Sequence, residues 1–431
     1  MSTPPSSIAT ELPKRQAILA PFREPGFRFQ WPADLTTSLA FDMESIILAW
    51  YVFVETQSVT MLTAFVSMQY LGTLIAPMFG VMGDRVGHRY VLAAMRGIYT
   101  VCALTLLTLI YTGALTPYYA IAVAAVMGLV RPSDVGMRAA LMSDTMPKQL
   151  LVSAMGLQRS TQDMAKCAGA LFGAGLVALL GMGSAYCVVA SFYAFAVWST
   201  LKGGAERALA DQAKGPRPLR LDTQSPWRDL HEGIIYVWRT PFLLATMLVA
   251  LVLNFTAFPL MNGLMPIIAK QVYGTGQTGL SHLVAAGAFG ATMGSLFVGR
   301  IAHRVRPARA TTIGAIAWLA ALMAFAQTTS PAWGIPLVMM AGVAQAACLV
   351  PMLAALLKNA EPKFRGRIMG IRMLAIYSNI PGLLVAAPLA ANFGYAGMAT
   401  CLSSFGIIAV ALITLRWRGA LWRTEAGANA R

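Results

Sequence analysis

The chain of 431 residues is 57% hydrophobic and only 12% charged, yet it carries a net charge of +16. A soluble domain is about a quarter charged, and the mean hydropathy here is +0.62. These values exclude an ordinary soluble enzyme and point to lipid as the main solvent.

Residues 1–27 hold Pro, Ser and charged residues, without the apolar core of about 7–15 residues that a signal peptide needs. They read as a cytoplasmic tail. Apolar stretches of about 20 residues, enough to cross a bilayer core, then follow. The first group is Trp31–Val54, Val59–Phe79, Tyr90–Tyr111, Pro117–Met137, Gln162–Met182 and Ala185–Leu201. It makes an N-terminal bundle over residues 28–201.

Residues 202–240 are the long polar interruption. "KGGAERALADQAKGPRPLRLDTQSP" reads as linker. "WRDLHEGIIYVWRT" spaces Trp227, Leu230, Ile234 and Trp238 near helical period. That predicts an amphipathic helix lying on the membrane surface, or a plain lead-in to the next span.

The second group is Phe242–Ala269, Leu280–Val298, Ala308–Ala326, Ile335–Leu357, Ile371–Asn392 and Gly394–Leu415. It makes a C-terminal bundle over residues 241–415, and a tail over 416–431 closes the chain. The predicted class is an all-α polytopic membrane protein, with about twelve transmembrane helices in two pseudo-symmetric bundles of about six.

Lys and Arg fall in alternate connections: Lys14 to Arg28, Arg85 to Arg89, Arg138 to Lys148, Lys202 to Arg239, Arg300 to Arg309, Lys358 to Arg372, and Arg416 to Arg431. The opposite connections are short and almost uncharged, Glu55 and Lys270 excepted. This is the positive-inside pattern. It predicts a multi-pass protein of the cell inner (plasma) membrane with both termini cytoplasmic. The basic excess therefore marks topology and contact with anionic headgroups, not a nucleic-acid surface.

The halves repeat. "DRVGHR" (Asp84–Arg89) matches "GRIAHR" (Gly299–Arg304) at a shift of 215 residues, and "PKQLLVSAMGL" matches "PKFRGRIMGI" at 215 for the Pro and 214 for the Gly. Two matches at one shift predict parallel copies, an arrangement that places a substrate path between them.

No phosphate-cradling Walker loop, HExxH, GxSxG or EF-hand loop is visible in the sequence. The four histidines lie far apart, and the five cysteines stand singly in apolar spans. No enzyme activity, cofactor, metal site or disulfide framework is expected. Work against a gradient would need coupling to protons, another ion or the substrate's own gradient.

The loop Gly80-x-x-x-Asp84-Arg85-x-Gly87-x-Arg89, with its flanking spans and the middle linker, resembles the signature of the major facilitator superfamily. The resemblance covers about Phe27 to Leu415. "RPSDVGMRAALMSDTMPKQLLVSAMGL" is further similar to the branch of bacterial siderophore and multidrug exporters, the enterobactin-exporter-like group. The chain departs from the family pattern in four places, one of them span four, where Arg131 stands too near the cytoplasmic end to be placed as the usual motif Arg. His88 stands where Arg or Lys is usual, Gly83 where Ala is usual, and "AGALFGAG" lacks the Pro of the fifth-span motif.

The resemblance implies an exporter working by alternating access, with a small-molecule substrate exchanged for protons; we expect a monomer in the lipid bilayer. An importer of a nutrient or lysolipid, or a non-transporting scaffold or sensor, is the alternative. The resemblance also makes Asp84 a conformational latch against the N-terminus of the eleventh span, near Met369–Arg372, where free amides and the helix dipole favour a carboxylate. Gly80 and Gly87 would permit the tight turn, and Arg85 and Arg89 would pair with Asp144, Asp134 or headgroups. A plain basic turn is the simpler alternative. His88 and the matching His303 could sense pH.

Intramembrane carboxylates are costly, and this makes Asp42 and Glu44 candidates for proton or substrate coupling. Two residues apart on a helix is about 200°, so they face different sides. Asp42 shares its stripe with Ser38, Ser45 and Ala49, the better cavity wall; Glu44 shares its stripe with Phe41, Leu48 and Tyr51. Asp163 is a third candidate proton carrier. Arg131, Asp134 and Arg138, and then Arg159, Asp163 and Lys166, have the spacing of ion pairs on one helix face. With Asp144 they predict a cytoplasmic charge network. Gly169, Gly173 and Gly175 would let helices approach. Asn254, Asn262, Gln345 and Asn379, with Tyr51, Phe255, Phe258 and Tyr377, could line the cavity.

Overall fold

The computed structural model describes residues 20–73, 75–211, 226–301, 306–361, 368, 371–372 and 374–423. Among these residues the chain is helical, without strands. Nine helices among them are long and apolar enough to cross a membrane. Two of the nine, Ser160–Gly203 with 44 residues and Ile376–Arg416 with 41, are about twice the roughly 20 residues that one crossing needs. Each turns back at one glycine, Gly181 (φ 79°, ψ 169°) and Gly394 (φ 67°, ψ −179°). That backbone region is essentially open to glycine alone. The predicted boundaries between spans five and six, and between eleven and twelve, fall at these turns.

Span two is interrupted. It runs as Val59–Met68, a 3₁₀ turn at Leu71–Thr73, and Ala76–Val86. Span seven begins as a regular helix, Pro241–Phe258, and continues through π-helical turns at Pro259–Gly263 and Ile268–Val272. With these two, each predicted span has a structural counterpart. The fold is the predicted all-α one.

The described residues that flank the basic connections lie at one end of the bundle, here the basic end. The opposite, far end carries only tight turns. Span one is Pro25–Thr56 and packs along the helix that holds spans five and six. The halves join through span five against span eight, and span two against span eleven. A repeat that carries span two onto span eight, and span five onto span eleven, carries each of these interfaces onto the other. A pseudo-twofold axis along the membrane normal follows.

Pro226–Arg239, expected as an amphipathic helix, is helical. It buries Val237 and exposes Ile234, Ile235 and Trp238. The side chains of Trp227 and Leu230, and all of residues 212–225, lie outside the described residues.

Candidate functional site

The densest polar cluster lies inside the N-terminal half, toward the basic end. Asp34 of span one forms an ion pair with Arg96 of span three. Arg96 also donates to the Thr200 hydroxyl of span six. Gln158 Nε2 of span five reaches the second Asp34 oxygen at 3.3 Å. Arg138 of span four stands 3.7 Å from Asp34 and pairs with Asp134 at 2.5 Å. It also donates to Ser38 Oγ at 3.0 Å. Arg96 is 0% exposed and Asp34 3%. Charges so buried persist only when paired.

Sequence reasoning overlooked Asp34 and Arg96. A signal existed: a lone arginine inside an apolar span requires an acidic partner at similar depth.

A second cluster lies at mid-depth, where the halves meet. Asp42 is half-buried, and span five passes so near that a Cβ on Gly169 would stand 3.0 Å from the Asp42 Cβ. Arg131, Lys166 and Asp163 lie within electrostatic reach of Asp42. The Arg131 guanidinium meets the Phe41 ring. Lys166 Nζ donates to Asn262 Oδ1 across the halves at 2.6 Å. The Tyr377 hydroxyl donates to the Leu71 carbonyl at 2.7 Å, and Tyr70 meets Asn379. Leu71 lies in the broken stretch of span two, where a carbonyl freed from the helix needs such a donor.

Glu44 takes a third position. It is 3% exposed and accepts from the Tyr193 hydroxyl of span six at 2.9 Å. Its other oxygen has no hydrogen-bond partner. A small cavity lined by Phe41, Glu44, Ser45, Gln69, Gly128 and Arg131 lies beside it. Asp42 and Glu44 thus point apart, one toward span five and the other into the N-terminal half.

The expected charge network divides. Asp134 and Arg138 join the Asp34 cluster. Arg131 and Lys166, expected with them at the basic end, instead reach mid-depth, because Arg131 turns onto Phe41 and Lys166 onto Asn262. Of the expected cavity residues, Asn262, Tyr377 and Asn379 lie between the halves. Tyr51 donates instead to the Leu115 carbonyl in the far-end turn at 2.9 Å. Asn254 bonds back to Ala250 of its own helix at 2.8 Å. Phe255 packs on Phe405, ring centroids 5.8 Å apart, and Phe258 on Trp318 at 5.2 Å.

In the signature loop Gly87 turns the chain at φ 102°, and Arg85 is exposed. Arg89 leans between spans one and six, its guanidinium 3.9 Å from where a Gly26 Cβ would stand and 3.4 Å from a Gly203 Cβ. The side chains of Gly80, Asp84, Asp144 and Arg159, and the residues His303, Met369 and Gly370, lie outside the described set. Among the described residues no group of His, Cys, Asp and Glu could hold a metal ion.

At the far end Lys270 Nζ sits 5.9 Å from the Trp50 ring centroid. A Cβ on Gly263 would stand 3.1 Å from both Val66 and Leu383. The halves therefore meet from mid-depth to the far end.

A family model described as Major Facilitator Superfamily matches residues 33–386. The chain belongs to that superfamily and is a multi-pass membrane protein with a transporter-like fold. Solved structures agree on the fold. An auto-inhibited POT family peptide transporter is 12% identical at a TM-score of 0.71, over 91% of this chain and 96% of that one. The nucleoside transporter NupG is 12% identical at 0.66, over 90% and 98%. The human organic anion transporter MFSD10 is 16% identical at 0.61, over 93% and 100%. No curated protein matches the chain.

Proposed function

We propose that the chain is a secondary transporter of the cell inner membrane that expels a small organic molecule, a siderophore or a drug-like compound, in exchange for protons. One observation carries this reading. Asp42, Arg131 and Lys166 stand at mid-depth on the seam between the halves, and Lys166 bonds across it to Asn262. Ionisable groups at that depth are costly and mark ion and substrate paths. The positive-inside charge pattern supports cytoplasmic termini. With the basic end in the cytoplasm, a seam closed from mid-depth to the far end corresponds to the inward-facing state. Asp84 serves as the latch of the opposite state.

In this cycle a proton taken up from outside at the mid-depth carboxylates favours the inward-facing state, and its release inside accompanies cargo loading. The test uses the purified protein in vesicles with an imposed pH gradient. A fluorescent cationic dye and a labelled catecholate siderophore are the probes. Flux of one probe toward the acidic side, abolished when the gradient is collapsed, is the expected result. Flux indifferent to the gradient removes the coupling, and flux in the opposite sense makes the protein an importer.

A further inference from the structure

The outer side of the N-terminal half carries a polar corner at the basic end. On the last turns of span six, Phe195, Trp198 and Lys202 are exposed at helical spacing, whereas Ser199, Thr200 and Gly203 are buried. The exposed stripe faces acyl chains and ends on an ammonium. Lys202 Nζ does not stretch toward water. It folds back one turn, to 4.8 Å from the Trp198 ring centroid and 5.6 Å from that of Phe29 on span one. A lysine at a membrane edge ordinarily snorkels outward. This one rests on an aromatic shelf, at the depth where headgroups meet chains.

Behind the shelf lies a small cavity with room for about one water-sized group. Phe29, Gln30, Arg89, Ser199, Thr200 and Gly203 border it. Ser199 Oγ donates to the Phe29 carbonyl at 2.7 Å, and the Thr200 hydroxyl accepts from Arg96. Gln30 is 4% exposed, and its Nε2 donates to the Arg138 carbonyl at 3.3 Å. Its Oε1 has no hydrogen-bond partner. A buried acceptor of this kind calls for a donor. Arg89 reaches the same corner, its guanidinium 3.4 Å from where a Gly203 Cβ would stand. Arg28, next to Phe29 in the chain, and Arg85, in the same loop as Arg89, are exposed. Of the described acidic side chains in these segments, Asp34 is held by Arg96, which leaves Glu24 against these cations.

We propose that this corner binds one phospholipid with a net negative charge and a hydroxyl in its headgroup, the chemistry of phosphatidylglycerol. The phosphate lies between Lys202 and Arg89. One acyl chain follows Trp198 and Phe195 along span six. A headgroup hydroxyl enters the cavity and donates to Gln30 Oε1. An ethanolammonium group would also supply a donor, but the surrounding cations repel it. Choline supplies none. The bound lipid ties span six to the signature loop.

The site stands apart from what the protein transports, and its test needs no cargo. Purified full-length protein in an uncharged detergent is titrated with phosphatidylglycerol, phosphatidylethanolamine or phosphatidylcholine of matched chains. Native mass spectrometry counts the lipids retained. Wild type should hold one phosphatidylglycerol about tenfold more tightly than either other lipid, the effect of one or two cations near a membrane surface. Lys202→Gln should remove most of this preference. Trp198→Leu should lower it severalfold with the charge unchanged, because the ammonium is then released to water. Arg418→Gln, at an exposed cation near the end of the C-terminal half, should leave it intact.

Equal affinity for the three lipids would overturn the proposal. So would equal effects of Lys202→Gln and Arg418→Gln, which would mark a general response to charge. An unchanged preference in Trp198→Leu would remove the shelf and the site built on it. Displacement of the lipid by sn-glycerol 3-phosphate at matched concentration would make the corner a site for a soluble phosphate compound instead.

Discussion

Asp34 and Arg96, on the first and third spans, form an ion pair that neither lipid nor water reaches. Thr200 and Gln158 add hydrogen bonds from the sixth and fifth spans. A single carboxylate thereby fixes the register of most of the N-terminal half. Removing one partner strands a buried charge, which typically costs about 3–5 kcal/mol. Asp34→Ala should lower the thermal midpoint of the purified protein sharply. Asp34→Leu combined with Arg96→Leu should cost much less than the sum of the single changes, since Arg138 retains Asp134. Additive losses would show that the pair is not coupled.

The Lys166–Asn262 bond crosses the seam and has the strength of a charge-assisted contact, about 1.5–3 kcal/mol. Asn262→Ala should shift the protein toward opening at the far end by roughly tenfold or more. A cysteine introduced at Trp50, in a background without the native cysteines, reports this by its rate of alkylation from that side. An unchanged rate would mean the bond forms without holding the halves together.

Spans two and four touch backbone to backbone. A Cβ on Gly128 would stand 1.9 Å from the Met68 carbonyl oxygen, whereas one on Gly136 would meet nothing within 4 Å. Gly128→Ala should destabilise by about 1–3 kcal/mol or more. Gly136→Ala, farther along the same helix, should stabilise by about 0.5–1 kcal/mol. Thermal midpoints in one detergent compare the two directly, and equal effects would contradict the packing.

Asp84→Asn should impair turnover while leaving membrane insertion and yield intact. Its readouts are vesicle flux and the amount of folded protein in the membrane fraction. Normal flux would return the Gly80–Tyr90 stretch to being a solvated turn.

The spans were legible because the bilayer imposes a length and an apolar composition on every crossing. Even the two turns hidden inside continuous helices lie at or beside the boundaries read from the sequence: Gly394 starts predicted span twelve, and Gly181 stands just before the predicted gap at Gly183–Ser184. The site was legible in part. Helical angle separates Asp42 from Glu44, and the structure turns them to span five and to Tyr193. The Asp34–Arg96 pair went unread because neither residue has an oppositely charged neighbour at helical spacing, and the partners come from other spans. Tyr51, Asn254 and Phe255 show the same limit. Residue type suits each to a cavity, but tertiary contacts with Leu115, with the residue's own helix and with Phe405 claim them first.

The one-residue turns at Gly181 and Gly394 bear on how the protein is made. Each joins two apolar helices with almost no polar chain to carry across the bilayer. Spans five and six, and likewise eleven and twelve, can therefore enter the membrane as preformed helical hairpins. For these pairs the insertion machinery has only one polar side to sort, and the order of synthesis matters less than the moment at which both arms have left the ribosome.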